Sequence, residues 1–272
     1  MTTDDSYLFT PNAEEDERLF KQGELLDPIT RRLFVTAGIQ PGWRVLDLGS
    51  GAGNVSLLAA DLVGPDGSVV GIDRDPDAIE RASQRVHSQG RTNVEFRTGD
   101  VSDLEDLDEE FDAVIGRLVL MYVPDPAAAI RQAAGRVRSG GLVCLEEADM
   151  SYTWASPSMP LWDQVRGWFQ EAMTRSGARA RMGHELFALF RAAGLPDPEM
   201  NLESKVLGGT VANGHSWADV VVGALPMIEK LGIATRQEVG PETLGERLSA
   251  ELVAHDGIMI TGPLVGAWTT KP

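Results

Sequence analysis

The sequence predicts an α/β fold of the doubly wound type, with a mostly parallel, seven-stranded sheet. Short apolar strands alternate with helices over the first 150 residues, which indicates consecutive β–α–β units with right-handed crossovers. A glycine cluster, Gly49–Gly53, separates the first strand from the helix after it. Such a loop at the carboxyl edge of a parallel sheet is typical of a ligand-binding site.

The strands are predicted from short apolar runs bounded by turn residues. They cover residues 44–48, 68–73, 94–98, 111–116, 142–146, 199–207 and 258–268.

The helices are predicted from their start and stop signals. Asp27-Pro28 has the pattern of an N-cap followed by a proline in the first helical position, so two helices are expected, over 13–26 and from Pro28 to Gly38. Asp75-Pro76 and Asp125-Pro126 begin two further helices in the same way, and the second of these is expected to end near Gly140-Gly141. Helices are also expected over 54–63 and 183–193.

The domain organisation follows from where this alternation stops. Residues 1–35 are predicted to form N-terminal cap helices, and residues 36–150 the ligand-binding core. Residues 151–272 are predicted to complete the sheet and to carry two helical insertions, 151–182 and 213–254. These insertions are predicted to form a cap that would cover an acceptor molecule.

Composition excludes several classes of function. The 272 residues include 41 Asp and Glu against 24 Lys and Arg, a net charge of −17, so the surface repels phosphate backbones and anionic lipids. No apolar run approaches the ~18 residues of a membrane span. A single cysteine, Cys144, cannot form an internal disulfide, and the N-terminus lacks a secretory signal pattern, so we expect a cytoplasmic protein.

The carboxyl ends of the first two strands predict a nucleoside-containing ligand. Asp73 ends the second strand, 20 residues after Gly53, where a carboxylate accepts hydrogen bonds from a ribose diol. The glycines fall at 49, 51 and 53, which departs from the G-x-G-x-x-G pattern of nicotinamide dinucleotide sites. Asp47 beside this loop opposes a pyrophosphate and suits an ammonium group.

Five segments in order resemble the motifs of the class I S-adenosylmethionine-dependent methyltransferases. They are RVLDLGSGAG at 44–53, SVVGIDR at 68–74, Gly99-Asp100-Val101, FDAVIGRLVLMYVPDP at 111–126, and GGLVCLEE at 140–147. The resemblance covers residues 36–150, and the rest of the chain is more weakly similar to the small-molecule, quinone-biosynthesis-like group. It implies the Rossmann-like methyltransferase fold, S-adenosylmethionine as the cofactor, and methyl transfer to a small molecule.

The resemblance also implies which residues hold the cofactor. The loop would support the methionine part near Asp47, Asp73 would hold the ribose hydroxyls, and Asp100 would accept from the adenine amino group beside Val101. Gly116 or Arg117 would contact the methionine end, and Gln22 lies on a helix expected to close over the cofactor. The full set is Gln22, Asp47, Gly49, Ser50, Gly51, Asp73, Arg74, Asp100, Val101, Gly116 and Arg117.

The acceptor side carries weaker signals. Methyl transfer from a sulfonium is an in-line displacement that alignment can accelerate, and a base is needed only if the acceptor loses a proton. His184, at the start of a predicted helix, and Asp149 are the candidate catalytic residues. Glu146, Glu147 and Asp149 lack a second oxygen-rich segment, so no metal site is predicted.

The predicted function is methyl transfer to a small apolar or aromatic metabolite. Five of the six tryptophans follow residue 150, and either an aromatic acceptor pocket or ordinary helix packing explains them. We expect a small-molecule acceptor as the partner, a homodimer as the candidate assembly, and neither nucleic acid nor a membrane. The alternatives are a protein that binds S-adenosylmethionine for a reaction other than methyl transfer and, less favoured, a nicotinamide-dependent oxidoreductase.

Overall fold

The computed structural model describes residues 7–9, 13–212 and 214–272, which form two compact units. The first, here called the sheet unit, comprises Leu19–Glu147, Met182–Leu202 and Leu264–Pro272. The second, here called the insertion unit, takes its described residues from Met1–Arg18, Ala148–Arg181 and Glu203–Pro263.

The strands of the described residues are numbered along the chain. They are β1 Arg44–Leu48, β2 Ser68–Asp73, β3 Val94–Thr98, β4 Phe111–Arg117, β5 Val137–Ala148, β6 Ala155–Ser156, β7 Glu199–Glu203, β8 Val206–Gly208, β9 Ile258–Ile260 and β10 Leu264–Thr270.

The α-helices of the described residues are numbered likewise. They are α1 Ala13–Ala37, α2 Asn54–Val63, α3 Pro76–Ser88, α4 Pro126–Gly135, α5 Pro160–Ser176, α6 Met182–Ala192, α7 His215–Gly223, α8 Leu225–Lys230, α9 Arg236–Val239 and α10 Leu244–Ala254.

The sheet unit is built on a seven-stranded sheet in the order β3-β2-β1-β4-β5-β10-β7. The pairs β1–β2, β2–β3, β1–β4 and β4–β5 are all parallel, and Asp47 of β1 lies between Gly71 of β2 and Ile115 of β4. The direction of the strand order reverses next to β1, which is where such sheets bind ligands. The predicted fold class is confirmed.

Helix starts in the sheet unit follow the local chemistry of the sequence. The Asp75 carboxylate accepts from the Asp77 N–H at the start of α3, and the Asp125 carboxylate accepts from the Ala128 N–H at the start of α4. Each aspartate thus satisfies a main-chain donor that the helix itself leaves unpaired, as predicted for an N-cap followed by proline.

The core of the sheet unit joins the sheet to its helices. Leu33 and Phe34 of α1, Ile115 of β4 and Cys144 of β5 are fully buried in one cluster with Trp268 of β10. Burial of side chains of this size stabilises the fold by about 1.5–3 kcal/mol each.

The prediction of a helix break at Asp27-Pro28 is wrong, because α1 runs unbroken through Pro28. Proline removes one main-chain hydrogen bond. The buried stripe Leu26, Ile29 and Leu33 nevertheless keeps helical spacing across it, so packing maintains the helix. The Asp27 carboxylate pairs with Arg117 instead of capping a helix.

The predicted boundaries around β5 are also wrong. Helix α4 ends at Gly135, and β5 starts at Val137 and runs through the two glycines expected to end the helix. The pairing of β4 with β5 shifts register between Phe111 and Ala113, and Gly140 has a φ of +75°. This irregularity of the ladder needs glycine, since a Cβ on Gly141 would lie 2.6 Å from the Asp112 carbonyl oxygen.

Two predicted strands each divide into two. Residues 199–207 form β7 and β8, and residues 258–268 fall into β9 and β10, with each half in a different sheet. Gly262-Pro263 interrupts the second run. Thr261 lies between the two strands, and its carbonyl oxygen accepts a hydrogen bond from the Ser204 hydroxyl at 2.7 Å instead of from a neighbouring strand.

The insertion unit holds a small antiparallel sheet in the order β6-β9-β8, with α5 and α7–α10. Its tryptophans pack against one another and against main chain. Trp154 and Trp217 stack with ring centroids 3.6 Å apart, and the Trp162 indole N–H donates to the Leu248 carbonyl. Packing therefore accounts for these side chains, and Trp268 belongs to the core of the sheet unit.

Across the described part of the chain, no helix combines the length and apolar character needed to cross a membrane.

Candidate cofactor site

The glycine loop between β1 and α2 has a left-handed backbone conformation that residues other than glycine rarely adopt. Gly49, Gly51 and Gly53 have φ values of +63°, +48° and +83°. The Ser50 N–H donates to the Ile72 carbonyl at 2.8 Å, which fixes the loop to β2. The Ser50 hydroxyl is buried and has no hydrogen-bond partner among the described residues. The loop thus offers main chain and one hydroxyl to a ligand.

Asp47 is almost fully buried beneath this loop, at 1% exposure. Its Oδ2 accepts from the Ser56 hydroxyl at 2.6 Å, and its Oδ1 has no hydrogen-bond partner among the described residues. Burial raises the pKa of Asp47 to about 7, against the lowering effects of Ser56 and of the Arg117 charge. A buried carboxylate oxygen without a partner fits a positively charged ligand group.

Asp73 ends β2 next to the same loop. Its Oδ2 accepts from the Gly51 N–H at 2.9 Å and its Oδ1 from the Asp75 N–H at 3.0 Å. Burial raises its pKa, and these two hydrogen bonds oppose the shift. The two bonds fix the carboxylate plane, and each oxygen keeps a lone pair for a ribose hydroxyl.

The residues expected near the ribose and adenine lie at the ends of β2 and β3. Arg74 and Asp100 are exposed, and Val101 is buried. One oxygen of Asp100 accepts from the Ser102 N–H at 2.7 Å, so the carboxylate holds the turn after β3.

Arg117, at the end of β4, is engaged by α1. Its guanidinium donates to Asp27 Oδ1 at 2.9 Å and to the Thr30 hydroxyl at 2.8 Å, and Thr30 in turn donates to Glu146 Oε2 at 2.6 Å. Only 8% of the Arg117 side chain is exposed. Its neighbour Gly116 is buried on β4. Arg117 therefore acts on the site through its charge and through the position of α1.

Helix α1 also lies close to the glycine loop and to the start of α2. The Asn54 amide donates to the Leu19 carbonyl at 2.9 Å, and a Cβ on Gly23 would lie 2.8 Å from that amide. A Cβ on Gly51 would lie 4.0 Å from the Leu19 side chain. Gln22, predicted on a helix that covers the cofactor, is half-buried in this part of α1.

The segment after β4 contains a strained residue and is held by a buried carboxyl group of β5, neither of which sequence reasoning singled out as part of the cofactor site. Leu118 has a φ of +58°, which is rare for a branched side chain. Glu147 is fully buried and accepts from the N–H groups of Val119 at 2.9 Å and Leu120 at 2.7 Å. Two consecutive glutamates, Glu146 and Glu147, at the end of the apolar run of β5 were the available signal.

Comparison with known proteins decides the family. A family model described as a methyltransferase domain matches residues 39–194, more than half of the chain. The chain belongs to the class I S-adenosylmethionine-dependent methyltransferases.

The relatives of this chain differ in how much they share with it. It is 40% identical over 111 residues to an arsenite methyltransferase of Halobacterium salinarum, covering 41% of this chain but only 28% of that relative. It is 29% identical over 174 residues to a demethylmenaquinone methyltransferase of Geobacillus stearothermophilus, covering 60% and 74% of the two chains. A candidate methyltransferase of Bacillus halodurans has the same fold, with a TM-score of 0.59 at 20% identity over 89% and 97% of the two chains.

The residues of this chain fit the cofactor of the family. S-adenosylmethionine carries an ammonium group, a ribose diol and an adenine. Asp47 Oδ1, which has no hydrogen-bond partner among the described residues, suits the ammonium, and the fixed Asp73 carboxylate suits the diol. The three glycines give the loop the positive φ values that it needs. Among the described residues, no group of His, Cys, Asp or Glu side chains could hold a metal ion.

The two candidate catalytic residues lie in different units. His184 is exposed in the first turn of α6 in the sheet unit. A Cβ on its neighbour Gly183 would lie 3.0 Å from the Glu147 carbonyl, so this turn packs against the end of β5. Asp149 is fully buried in the insertion unit, where its Oδ1 accepts from the main chain and hydroxyl of Ser151. Their catalytic roles stay predictions.

Proposed function

We propose that this protein transfers a methyl group from S-adenosylmethionine to a small, apolar or aromatic acceptor. The observation that carries the proposal is the buried Asp47, whose Oδ1 has no hydrogen-bond partner among the described residues, under a glycine loop that Asp73 fixes from β2. When bound, the cofactor supplies a methyl group activated on a sulfonium.

The chain's own residues bind and orient this cofactor. Asp47 accepts from the ammonium, and Asp73 accepts from the ribose hydroxyls while its bond to Gly51 keeps the loop in place. Arg117 holds α1 through Asp27, and α1 contacts the loop through Leu19. Fixed geometry and exclusion of water supply much of the rate enhancement for a displacement that begins with an activated group.

The proposed acceptor is uncharged or cationic rather than a polyanion. The net charge of −17 opposes nucleic acid and other polyanionic partners. Arsenite, the substrate named for the Halobacterium relative, is not supported, since arsenic(III) is a soft centre that binds thiolates and the lone Cys144 is buried in β5. The demethylmenaquinone methyltransferase, which matches over a longer part of this chain, supports an apolar aromatic acceptor. The lone cysteine supports a cytoplasmic location, and the homodimer stays a prediction.

If the acceptor must lose a proton, His184 and Asp149 are the proposed bases. A neutral imidazole can accept a proton, and His184 lies in the turn that packs against the end of β5. Asp149 is oriented by Ser151, as a base requires.

Mass spectrometry of small molecules released from the purified, denatured protein tests the proposal. We expect S-adenosylmethionine or S-adenosylhomocysteine in the released fraction, at a lower level from the Asp73→Ala variant. Incubation of the protein with S-adenosylmethionine and a series of hydroquinones, phenols and amines should then give S-adenosylhomocysteine and a product heavier by one methyl group. Tight cofactor binding without product from any acceptor would favour the alternative, a reaction other than methyl transfer. Binding of a nicotinamide dinucleotide in its place would refute the proposal.

A further inference from the structure

Glu147 is a buried carboxyl group near the end of β5 that accepts hydrogen bonds from main-chain N–H groups through one of its two oxygens. Its Oε1 accepts from the Val119 and Leu120 N–H groups, and its Oε2 has no hydrogen-bond partner among the described residues. The group is therefore linked to one segment, the turn after β4. Burial raises its pKa to about 8, against the N–H groups that lower it, and the charge of Glu146 adds to the rise.

The turn that Glu147 holds presses on the cofactor loop. A Cβ on Gly49 would lie 2.5 Å from Cγ2 of Val119, so Val119 fills the space above the first glycine of the loop. Cγ1 of Val119 also lies 3.3 Å from the place of a Cβ on Gly116. A small displacement of this turn would therefore push Val119 against the main chain of Gly49 or leave a gap beside it. In the proposed function, this main chain supports the methionine part of the cofactor.

The turn does not hold this position by its own backbone preference. Leu118 has a left-handed φ of +58°, a conformation that costs about 1 kcal/mol or more for such a residue. The Leu118 N–H donates to the Glu146 carbonyl at 2.9 Å, so two consecutive residues of β5 fix the turn. Without the Glu147 acceptor, the buried N–H of Leu120 and the part-buried N–H of Val119 would have to find other partners, and the turn would relax.

We propose that Glu147 is a positioning residue that holds the segment Leu118–Leu120 against Gly49 and thereby sets the affinity of the glycine loop for its cofactor. The inference rests on the cofactor-binding part of the proposed function and is independent of which acceptor is methylated. It assigns Glu147 no contact with the cofactor.

Three variants of the full chain test this inference. Glu147→Ala removes the acceptor, and Glu147→Gln keeps an amide oxygen that can accept from the same two N–H groups. Val137→Ala, at the amino end of the same strand, is the matched control for a loss of buried volume far from the turn. Binding of S-adenosylhomocysteine is measured by calorimetry, stability by urea unfolding, and the amide protons of Val119 and Leu120 by NMR.

We expect Glu147→Ala to weaken binding by about tenfold or more, equivalent to about 1.4 kcal/mol. Glu147→Gln should bind within about threefold of the wild type, and Val137→Ala should lose stability without losing affinity. In the wild type the two amide protons should shift with a midpoint near pH 8, because they donate to the group that titrates. The shift should vanish in Glu147→Gln, which identifies Glu147 as the titrating group. The loss of affinity in Glu147→Ala but not in Val137→Ala separates a positioning role from a merely structural one.

A folded Glu147→Ala variant with wild-type affinity would overturn the inference, and so would amide shifts that stay flat in the wild type. If Glu147→Ala does not fold, the NMR comparison decides: a titration that persists in Glu147→Gln refutes the role. Failure of the wild type to bind S-adenosylhomocysteine would refute the cofactor site and this inference together. Normal binding and titration without methyl transfer to any acceptor would refute only the proposed function.

Discussion

Raising the pH from 6 to 7.5 should strengthen the binding of S-adenosylmethionine about five- to sixfold. Burial raises the pKa of Asp47 to about 7, so at pH 6 the unliganded site carries mainly the protonated acid. An ammonium group favours the ionised form, and binding at pH 6 therefore releases close to one proton. With a pKa of 7, the ionised fraction of Asp47 is about 0.09 at pH 6 and about 0.76 at pH 7.5, a ratio of about eight. The ligand's α-amino group has an ordinary pKa of about 7.7–8, so only about 60–75% of it is protonated at pH 7.5, and this lowers the expected gain in affinity to about five- to sixfold.

Calorimetry at pH 6 in two buffers with different ionisation enthalpies measures the released proton directly. Asp47→Asn should bind without proton release and without this pH dependence, and more weakly than the wild type at pH 7.5. Ser56→Ala is the matched variant, because it removes the hydroxyl that donates to Asp47 at 2.6 Å and lowers its pKa. Its affinity curve should shift to higher pH.

The same titration predicts the stability of the unliganded protein. An unfolded Asp47 ionises near its ordinary pKa of 3.8, whereas the folded protein keeps the proton until about pH 7. The folded state therefore binds more protons between these values, and the free energy of unfolding contributed by Asp47 falls as the pH rises through that window. Asp47→Asn should remove this slope in urea unfolding. Equal affinity at pH 6 and 7.5, with no proton released by the wild type, would refute the assignment of the ammonium to Asp47.

Three further changes test other contacts. Asp73→Ala should weaken cofactor binding at least tenfold in calorimetry, since each hydrogen bond to a charged acceptor contributes roughly 1.5–3 kcal/mol, and unchanged affinity in a folded variant would contradict the ribose contact. His184→Ala should lower kcat about 100-fold with little change in cofactor affinity if His184 is the base, whereas a loss below about tenfold would favour alignment as the source of rate. Asp27→Asn should lower the free energy of unfolding by about 1 kcal/mol in urea titrations. The loss is moderate because Asp27 is partly exposed to water, although only 8% of the Arg117 side chain is exposed. An unchanged unfolding midpoint would show that the ion pair is dispensable.

The part of the fold nearest the glycine loop could be predicted from local sequence. The helix over 54–63 and the strand over 44–48 have the predicted bounds, because each is an apolar run bounded by glycine or proline. Asp75 and Asp125 cap the helices as expected, since a cap depends on residues only three positions apart. Sequence motifs also located the loop and Asp73, which are close together in the chain.

Features decided by packing over long distances could not be predicted in this way. The Asp27-Pro28 signal for a helix start is local, but burial of an apolar stripe keeps α1 continuous. Asp27 pairs instead with Arg117, which is 90 residues away in the sequence. Glu147 offers the clearest example. Its sequence neighbours indicated only an acidic strand end, and its role depends on the main chain of a turn 27 residues earlier.

The position of the lone cysteine has a practical consequence for measuring motion. Cys144 is fully buried in the middle of β5, and burial raises the pKa of its thiol well above the ordinary value, so a thiol reagent cannot react with it while the sheet is intact. The rate at which such a reagent labels the native protein therefore reports how often the centre of the sheet opens. A second cysteine placed on an exposed surface would react far faster, so the chain accepts a single fluorescent or spin label without removal of its natural thiol.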